Sequence, residues 1–177
     1  SILSGTRMGT DNIIYQGAII GATPQDFKFK GEDTLLKIGN HNTIREKVIL
    51  NRGTNTTDCT IIGDGNFLLE GVHLAHDTHL GSHCVLGNGA KTAGNCIIDD
   101  KAILGSEVIV KHGCRIGSWA LLRDGCRAKC YRQIYQCGTS LENALRRIKD
   151  IIPLSPEITY LVDFIEQSKK GIIGTTM

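Results

Sequence analysis

The stretch Ile62-Gly63-Asp64-Gly65-Asn66-Phe67-Leu68-Leu69-Glu70-Gly71-Val72-His73-Leu74-Ala75-His76-Asp77-Thr78-His79-Leu80-Gly81 decides the fold. Ile62, Leu68, Leu74 and Leu80 stand six residues apart. The series continues through Leu86, Thr92, Ile98, Leu104, Val110, Ile116 and Leu122. Two residues before each member lies a mostly small side chain: Thr60, Val72, Thr78, Cys84, Ala90, Cys96, Ala102, Val108, Cys114 and Ala120, with Asn66 the poorest fit. Glycine follows the ladder residue at Gly63, Gly81, Gly87, Gly105 and Gly117. A strand alternates every second residue and a helix repeats about every 3.6, so neither generates a strict six. A six-residue period marks a hexapeptide β-helix, with one short strand and one turn per repeat.

The phase extends upstream to Met8, Ile14 and Ile20 and to Ile38, Ile44 and Leu50. Between these two runs the stretch from Thr23 to Leu36 ignores the pattern. It contains the polar segment Gln25-Asp26-Phe27-Lys28-Phe29-Lys30-Gly31-Glu32. An insertion of this kind leaves the solenoid as a loop, here expected at about residues 22–36, and loops on solenoids carry binding. Arg52 to Cys59 is a second break, rich in Thr, Asn and Gly. The chain starts in phase, with no capping element before Met8; an open solenoid end exposes unpaired strand edges, so the expectation is that N-terminal residues are missing or that another element covers them.

After Leu122 the six-residue period gives way to helical signals. A helix is expected over 128–136. Thr139-Ser140-Leu141-Glu142 reads as a capping box, opening a helix that Pro153 ends. Ser155-Pro156-Glu157 opens another, with proline at its first position, and Gly171 closes it. The expected division is a β-helix over 1–125 and a helical module over 126–177.

Composition fits this reading. Of 177 residues only 5% are aromatic, as a narrow interior of Ile, Leu, Val and Ala requires. A net charge of +2 gives no basis for binding nucleic acid by bulk charge. No apolar run is long enough to span a bilayer, so stable membrane insertion is not expected. Of the seven cysteines, Cys84, Cys96 and Cys114 occupy the small-residue slot and read as core packing. The remaining four lack zinc spacing, and a reduced, cytoplasmic protein is the expectation.

The period also says which distant residues are neighbours. Three repeats, 18 residues, complete one coil, so residues 18 apart stack about 4.8 Å from one another. His76, Gly94 and His112 then form one column on one corner, with Asp77 beside the histidine and Asn95 stacked on Asp77. A neutral histidine can take a proton from a hydroxyl attacking an acyl carbonyl, an effect of about 10²–10⁴-fold. A glycine N–H can hold the developing oxyanion, worth about 10²–10³-fold. A neighbouring aspartate can orient the imidazole. The competing reading of His73, His76, His79 and His83 is a zinc site. Zinc needs three protein ligands within reach, and His79 and His83 fall on other slots of the repeat. No metal and no cofactor is expected.

These residues resemble a known family. His73-Leu74-Ala75-His76-Asp77, the loop Gln25 to Glu32, Ile44-Arg45-Glu46, Arg52-Gly53-Thr54, Thr92-Ala93-Gly94 and the tail Ser168-Lys169-Lys170-Gly171-Ile172-Ile173 are together similar to the UDP-N-acetylglucosamine O-acyltransferases of lipid A synthesis. The resemblance implies a left-handed β-helix, a homotrimer with active sites between subunits and a C-terminal helical module. It implies transfer of an (R)-3-hydroxyacyl chain from acyl carrier protein to the 3-hydroxyl of UDP-N-acetylglucosamine. His76 corresponds to the general base, Asp77 to its supporting carboxylate and Gly94 to the oxyanion donor. Gln25, Asp26, Lys28, His73 and His112 correspond to substrate-binding positions. Arg132, Arg146, Arg147, Lys149, Lys169 and Lys170 would meet the acidic carrier protein, or form a solvated helix face.

The chain departs from the family at several places. It has Asn95 where the family has histidine, and Lys111-His112 displaces a histidine by one position. Trp119, Arg123 and Asp124 stand where the acyl chain would be measured. The family's long connection after the coils, with its first helix, has no counterpart between Gly125-Cys126-Arg127 and residue 128. A related acyl- or acetyltransferase with another donor or an amino-sugar acceptor, and a non-catalytic degenerate solenoid, are the alternative readings.

Overall fold

The computed structural model describes residues 1–128 and 156–167. Over the first range the six-residue ladder becomes three parallel sheets of six strands each. The first holds β1 (Thr6–Met8), β4 (Leu35–Ile38), β7 (Cys59–Ile62), β10 (His79–Leu80), β13 (Ile97–Ile98) and β16 (Arg115–Ile116). The second holds β2 (Ile13–Ile14), β5 (Thr43–Ile44), β8 (Phe67–Leu68), β11 (Val85–Leu86), β14 (Ile103–Leu104) and β17 (Leu121–Leu122). The third holds β3 (Ile19–Ala22), β6 (Ile49–Asn51), β9 (His73–Leu74), β12 (Lys91–Thr92), β15 (Ile109–Val110) and β18 (Arg127–Ala128). Consecutive strands thus belong to different sheets and every third strand pairs. This is the left-handed parallel β-helix of hexapeptide repeats.

The register confirms the coil of 18 and locates the two breaks. From β7 onward partners are 18 apart, as in Ile61↔His79 and Ile97↔Arg115. Earlier offsets are longer: Thr6 faces Leu36, 30 residues on, and Leu36 faces Thr60, 24 residues on. The excess over 18 is twelve residues in the first coil and six in the second. Both are multiples of six, which is why the ladder keeps its phase across both loops. The first loop occupies 23–34, because Leu35 already belongs to β4 and Leu36 is buried in the slot two residues before the ladder residue Ile38.

Ladder residues fill the interior. Ile20, Ile44, Leu50, Ile62, Leu68, Leu74, Leu80, Leu86, Ile98 and Leu104 are fully buried, each contributing about 1.5–3 kcal/mol relative to exposure. Cys84, Cys96 and Cys114 are buried in the small-residue slot. Asn66, the poorest fit to that slot, is buried for a polar reason. Its N–H donates to Asn42 Oδ1 (2.9 Å), its side-chain amide to the Gly81 carbonyl (2.9 Å), and its Oδ1 accepts the Cys84 N–H (2.8 Å). Asn42 makes the same kind of contact to Asn12 and the Gly63 carbonyl, so a short column of asparagines runs up one corner. Each satisfies backbone groups that a hydrophobic side chain would leave unpaired.

Every coil turns its corner through a residue with positive φ, again at a spacing of six. The slot holds glycine at Gly65, Gly71, Gly89, Gly113 and Gly125, and other residues at Asp77, His83, Asn95, Lys101, Glu107 and Trp119.

The ladder ends one step later than the sequence indicates. Ala128, expected to open a helix, is instead the buried residue of β18, paired with Val110. Ser1–Ala128 forms one compact unit. Beyond it, α1 (Pro156–Gln167) begins with the expected proline at its first position, where the missing N–H costs nothing. Tyr160 and Phe164, one turn apart on α1, place their ring centroids 6.3 Å apart. The remainder of the helix expected over 128–136, the capping box at Thr139 and the closing Gly171 lie outside the described residues.

Candidate active site

His76 follows β9 at a corner of the solenoid and is buried. The next residue, Asp77, occupies the corner slot with φ of 56°. That backbone turn swings the Asp77 carboxylate back beside the imidazole, with Oδ2 2.8 Å from His76 Nδ1. The Asp77 N–H donates to Thr60 Oγ1 (2.9 Å) and holds the corner in place. The other carboxylate oxygen, Oδ1, accepts the Thr54 N–H (3.0 Å). Thr54 Oγ1 lies 2.9 Å from the same Nδ1.

These contacts fix the tautomer. An ionised carboxylate only accepts, so Nδ1 carries the proton and Nε2 keeps its lone pair. Nε2 faces Asp26 of the first loop, whose Oδ2 is 4.0 Å away. The loop is tied to the coil at several points. Asn51 donates its side-chain amide to the Thr23 carbonyl (2.6 Å) and the Arg52 guanidinium lies over the Phe29 ring at 5.4 Å, while within the loop the Lys28 N–H donates to Asp26 Oδ1 (2.9 Å).

Gly94 lies directly over this imidazole. A Cβ placed there would overlap Cε1, Nε2 and Nδ1 of His76, so the position excludes every side chain. Its φ is not among the positive values, so close approach rather than turn geometry is what demands glycine here. The column is held by the Asn95 N–H donating to the His76 carbonyl and the Gly113 N–H to the Gly94 carbonyl, both 3.1 Å. The Gly94 N–H itself makes no hydrogen bond among the described residues. Thr92, the one threonine in the ladder, is buried next to the site, where its hydroxyl accepts the Ala75 N–H (3.1 Å).

His73 projects outward from β9 beneath Lys91. Its Nε2 donates to Asn51 Oδ1 at 2.6 Å. Burial lowers the His73 pKa below its ordinary 6.5, and the charges of Lys91 and His76 add to the effect. A neutral His73 therefore links the coil, through Asn51, to the start of the Asp26 loop.

The structure thus gathers Asp26, His73, His76, Asp77 and Gly94 of the residues singled out in the sequence. Gln25 and Lys28 are exposed on the same loop. His112 is exposed one coil beyond Gly94. His79 lies on another sheet, and His83 shares a second corner with Lys101 and Trp119. Trp119 is exposed there, with Lys101 Nζ 4.5 Å from its ring centroid, and Asp124 caps the Ser106 N–H at the third corner. Among the described residues no three His, Cys, Asp or Glu converge on a metal position. Arg132, Arg146, Arg147, Lys149, Lys169 and Lys170 lie outside the described residues. Sequence reasoning missed Thr54, Thr60 and Asn51. The sign of Thr54 was the second break, whose six extra residues carry its hydroxyl across to the histidine.

A hexapeptide β-helix with a tautomer-fixed histidine under a side-chain-free corner has the architecture of a hexapeptide-repeat acyltransferase. The comparisons agree. Residues 59–94 match the model of bacterial transferase hexapeptide repeats. Residues 128–173 match that of UDP-N-acetylglucosamine O-acyltransferase domain 2. An acyl-[acyl-carrier-protein]–UDP-N-acetylglucosamine O-acyltransferase of Thermodesulfovibrio yellowstonii is 39% identical over 207 residues, covering 94% of this chain and 80% of that protein. That span exceeds the 177 residues of this chain, so the relative carries insertions that the chain lacks. A protein of the same name from Janthinobacterium sp. is 51% identical over 86 residues, 48% of this chain but only 33% of the relative. The crystal structure of a UDP-N-acetylglucosamine acyltransferase from Bacteroides fragilis superposes with a TM-score of 0.90 at 40% identity, covering 98% of this chain and 83% of that one. The Francisella novicida enzyme gives 0.83 at 28% identity, over 92% of this chain and 75% of that one. The chain belongs to the UDP-N-acetylglucosamine O-acyltransferase family.

Proposed function

We propose that this chain transfers an (R)-3-hydroxyacyl group from acyl carrier protein to the 3-hydroxyl of UDP-N-acetylglucosamine, the first step of lipid A synthesis. The observation that carries the reading is the 2.8 Å pair of His76 Nδ1 and Asp77 under the bare backbone of Gly94. The sugar O–H approaches Nε2, which takes its proton as the oxygen attacks the thioester carbonyl. The Gly94 N–H receives the oxyanion so formed. Collapse breaks the C–S bond, and the imidazolium returns the proton to the departing thiolate. Asp77 stabilises the imidazolium without itself becoming protonated.

Asp26, Lys28 and Gln25 bind the sugar nucleotide from the loop, with His73 and His112 on the coil. A homotrimer belongs to the same reading. Its support is a column of outward apolar side chains on the second sheet, where Ile13, Phe67, Ile103 and Leu121 are exposed in register. The part of the chain after Ala128 is assigned to the carrier protein, and the compartment to the cytoplasm. Among the described residues no helix is long and apolar enough to cross a membrane.

The test is a donor and acceptor panel with the purified chain. Ester formation on UDP-N-acetylglucosamine from acyl carrier protein, with little from the matching acyl-CoA, is expected. Transfer only from CoA, or only to a 3-amino sugar, overturns the assignment of substrates.

A further inference from the structure

We propose that Thr54 is a positioning residue for the base: its hydroxyl provides a second acceptor for the His76 Nδ1–H and, with Asp77, locks the ring with Nε2 free. This rests on the acyl-transfer reading of His76. Thr54 is buried, so its hydroxyl is not exchanged freely with water. Its two polar groups serve the two members of the pair separately: N–H to Asp77 Oδ1 at 3.0 Å, and Oγ1 to His76 Nδ1 at 2.9 Å. The Asp77 oxygen on Nδ1 is at 2.8 Å, so one ring N–H faces two acceptors at nearly equal distance.

That arrangement adds something Asp77 alone does not supply. With a single acceptor the imidazole can swing about the Nδ1–H···O axis and carry Nε2 away from the bare Gly94 backbone. A second acceptor at the same N–H restricts that freedom. Thr54 also comes from a different coil, since it precedes β7 whereas His76 follows β9. The second break in the ladder thereby acquires a purpose: its extra residues bring a threonine from just after β6 to the base that follows the neighbouring strand β9. The contact is tight all round, because a Cβ on the adjoining Gly53 would stand 2.9 Å from Asp77 Oδ1.

Thr54→Val keeps the shape and the N–H bond to Asp77 and removes only the hydroxyl. Thr54→Ser keeps the hydroxyl. Steady-state transfer kinetics with acyl carrier protein and UDP-N-acetylglucosamine should show kcat reduced about tenfold in Thr54→Val at unchanged KM, the effect of losing one hydrogen bond to the reacting ring. Thr54→Ser should recover most of it. Nitrogen NMR of the His76 ring reads the same claim without turnover: the protonated Nδ1 signal should weaken or exchange faster in Thr54→Val and persist in Thr54→Ser. Wild-type kcat and an unchanged ring spectrum in Thr54→Val overturn the proposal, as does a serine variant as impaired as the valine one. A wild-type chain inactive with these substrates overturns the acyl-transfer reading instead, and the ring spectrum then still decides the role of Thr54.

Discussion

The imidazole of His76 fills the space that a side chain on Gly94 would need. The two residues are 18 apart, one full coil, so the helical repeat itself places a hydrogen-bond donor over the base. Gly94→Ala should force the ring off Asp77 while leaving the ladder intact. The backbone N–H is retained, so the loss is that of a displaced base, and we expect transfer to fall by about 10²–10⁴-fold. Initial-rate assays alongside thermal melting check this; a large drop in melting temperature would point to a structural role instead.

Asp77→Asn tests how the tautomer is held. Asparagine accepts the positive φ of the corner slot, so the backbone should be undisturbed. The amide no longer stabilises an imidazolium, and kcat should fall by about 10²–10⁴-fold with KM little changed. The measurement is a full saturation curve in each substrate, and near-wild-type kcat contradicts the assigned role.

His73 gives the fold a dependence on pH. Its folded pKa is lowered by burial and by Lys91 and His76, so the unfolded chain binds a proton more readily than the folded one. Stability therefore falls as pH drops through about 6.5, the ordinary value, toward the lower folded value. His73→Gln keeps a donor for Asn51 but does not titrate. Melting curves between pH 7.5 and 5 should have a shallower pH slope in the variant, and parallel slopes would exclude this contribution.

Asn66→Ala should cost about 2–6 kcal/mol. It strands the Gly81 carbonyl and the Cys84 N–H in a buried corner, at about 1–3 kcal/mol each. Urea denaturation followed by circular dichroism measures the change. A loss under about 1 kcal/mol would mean that water repairs the gap.

The period of six made the solenoid legible, because neither a lone strand nor a helix generates it. Counting by 18 then placed Gly94 on His76 without any knowledge of side-chain geometry. Thr54 escaped this arithmetic because its coil is 24 residues long, and a loop's path across a corner has no period. Asn66 looked like a defect because the slot rule concerns size, whereas this corner selects for amide hydrogen bonds. Ala128 was misread since a single alanine suits a helix as well as a ladder, and the pairing with Val110 is a tertiary fact.

The central claim is that His76 is the base of an acyl transfer from carrier protein to a sugar nucleotide. The direct measurement compares wild type with His76→Ala in one assay of acyl transfer from (R)-3-hydroxyacyl carrier protein to UDP-N-acetylglucosamine, with oligomeric state followed by light scattering. The account predicts that the variant assembles as wild type does and loses about 10²–10⁴-fold in rate. A correctly assembled variant that transfers acyl groups at the wild-type rate would contradict it.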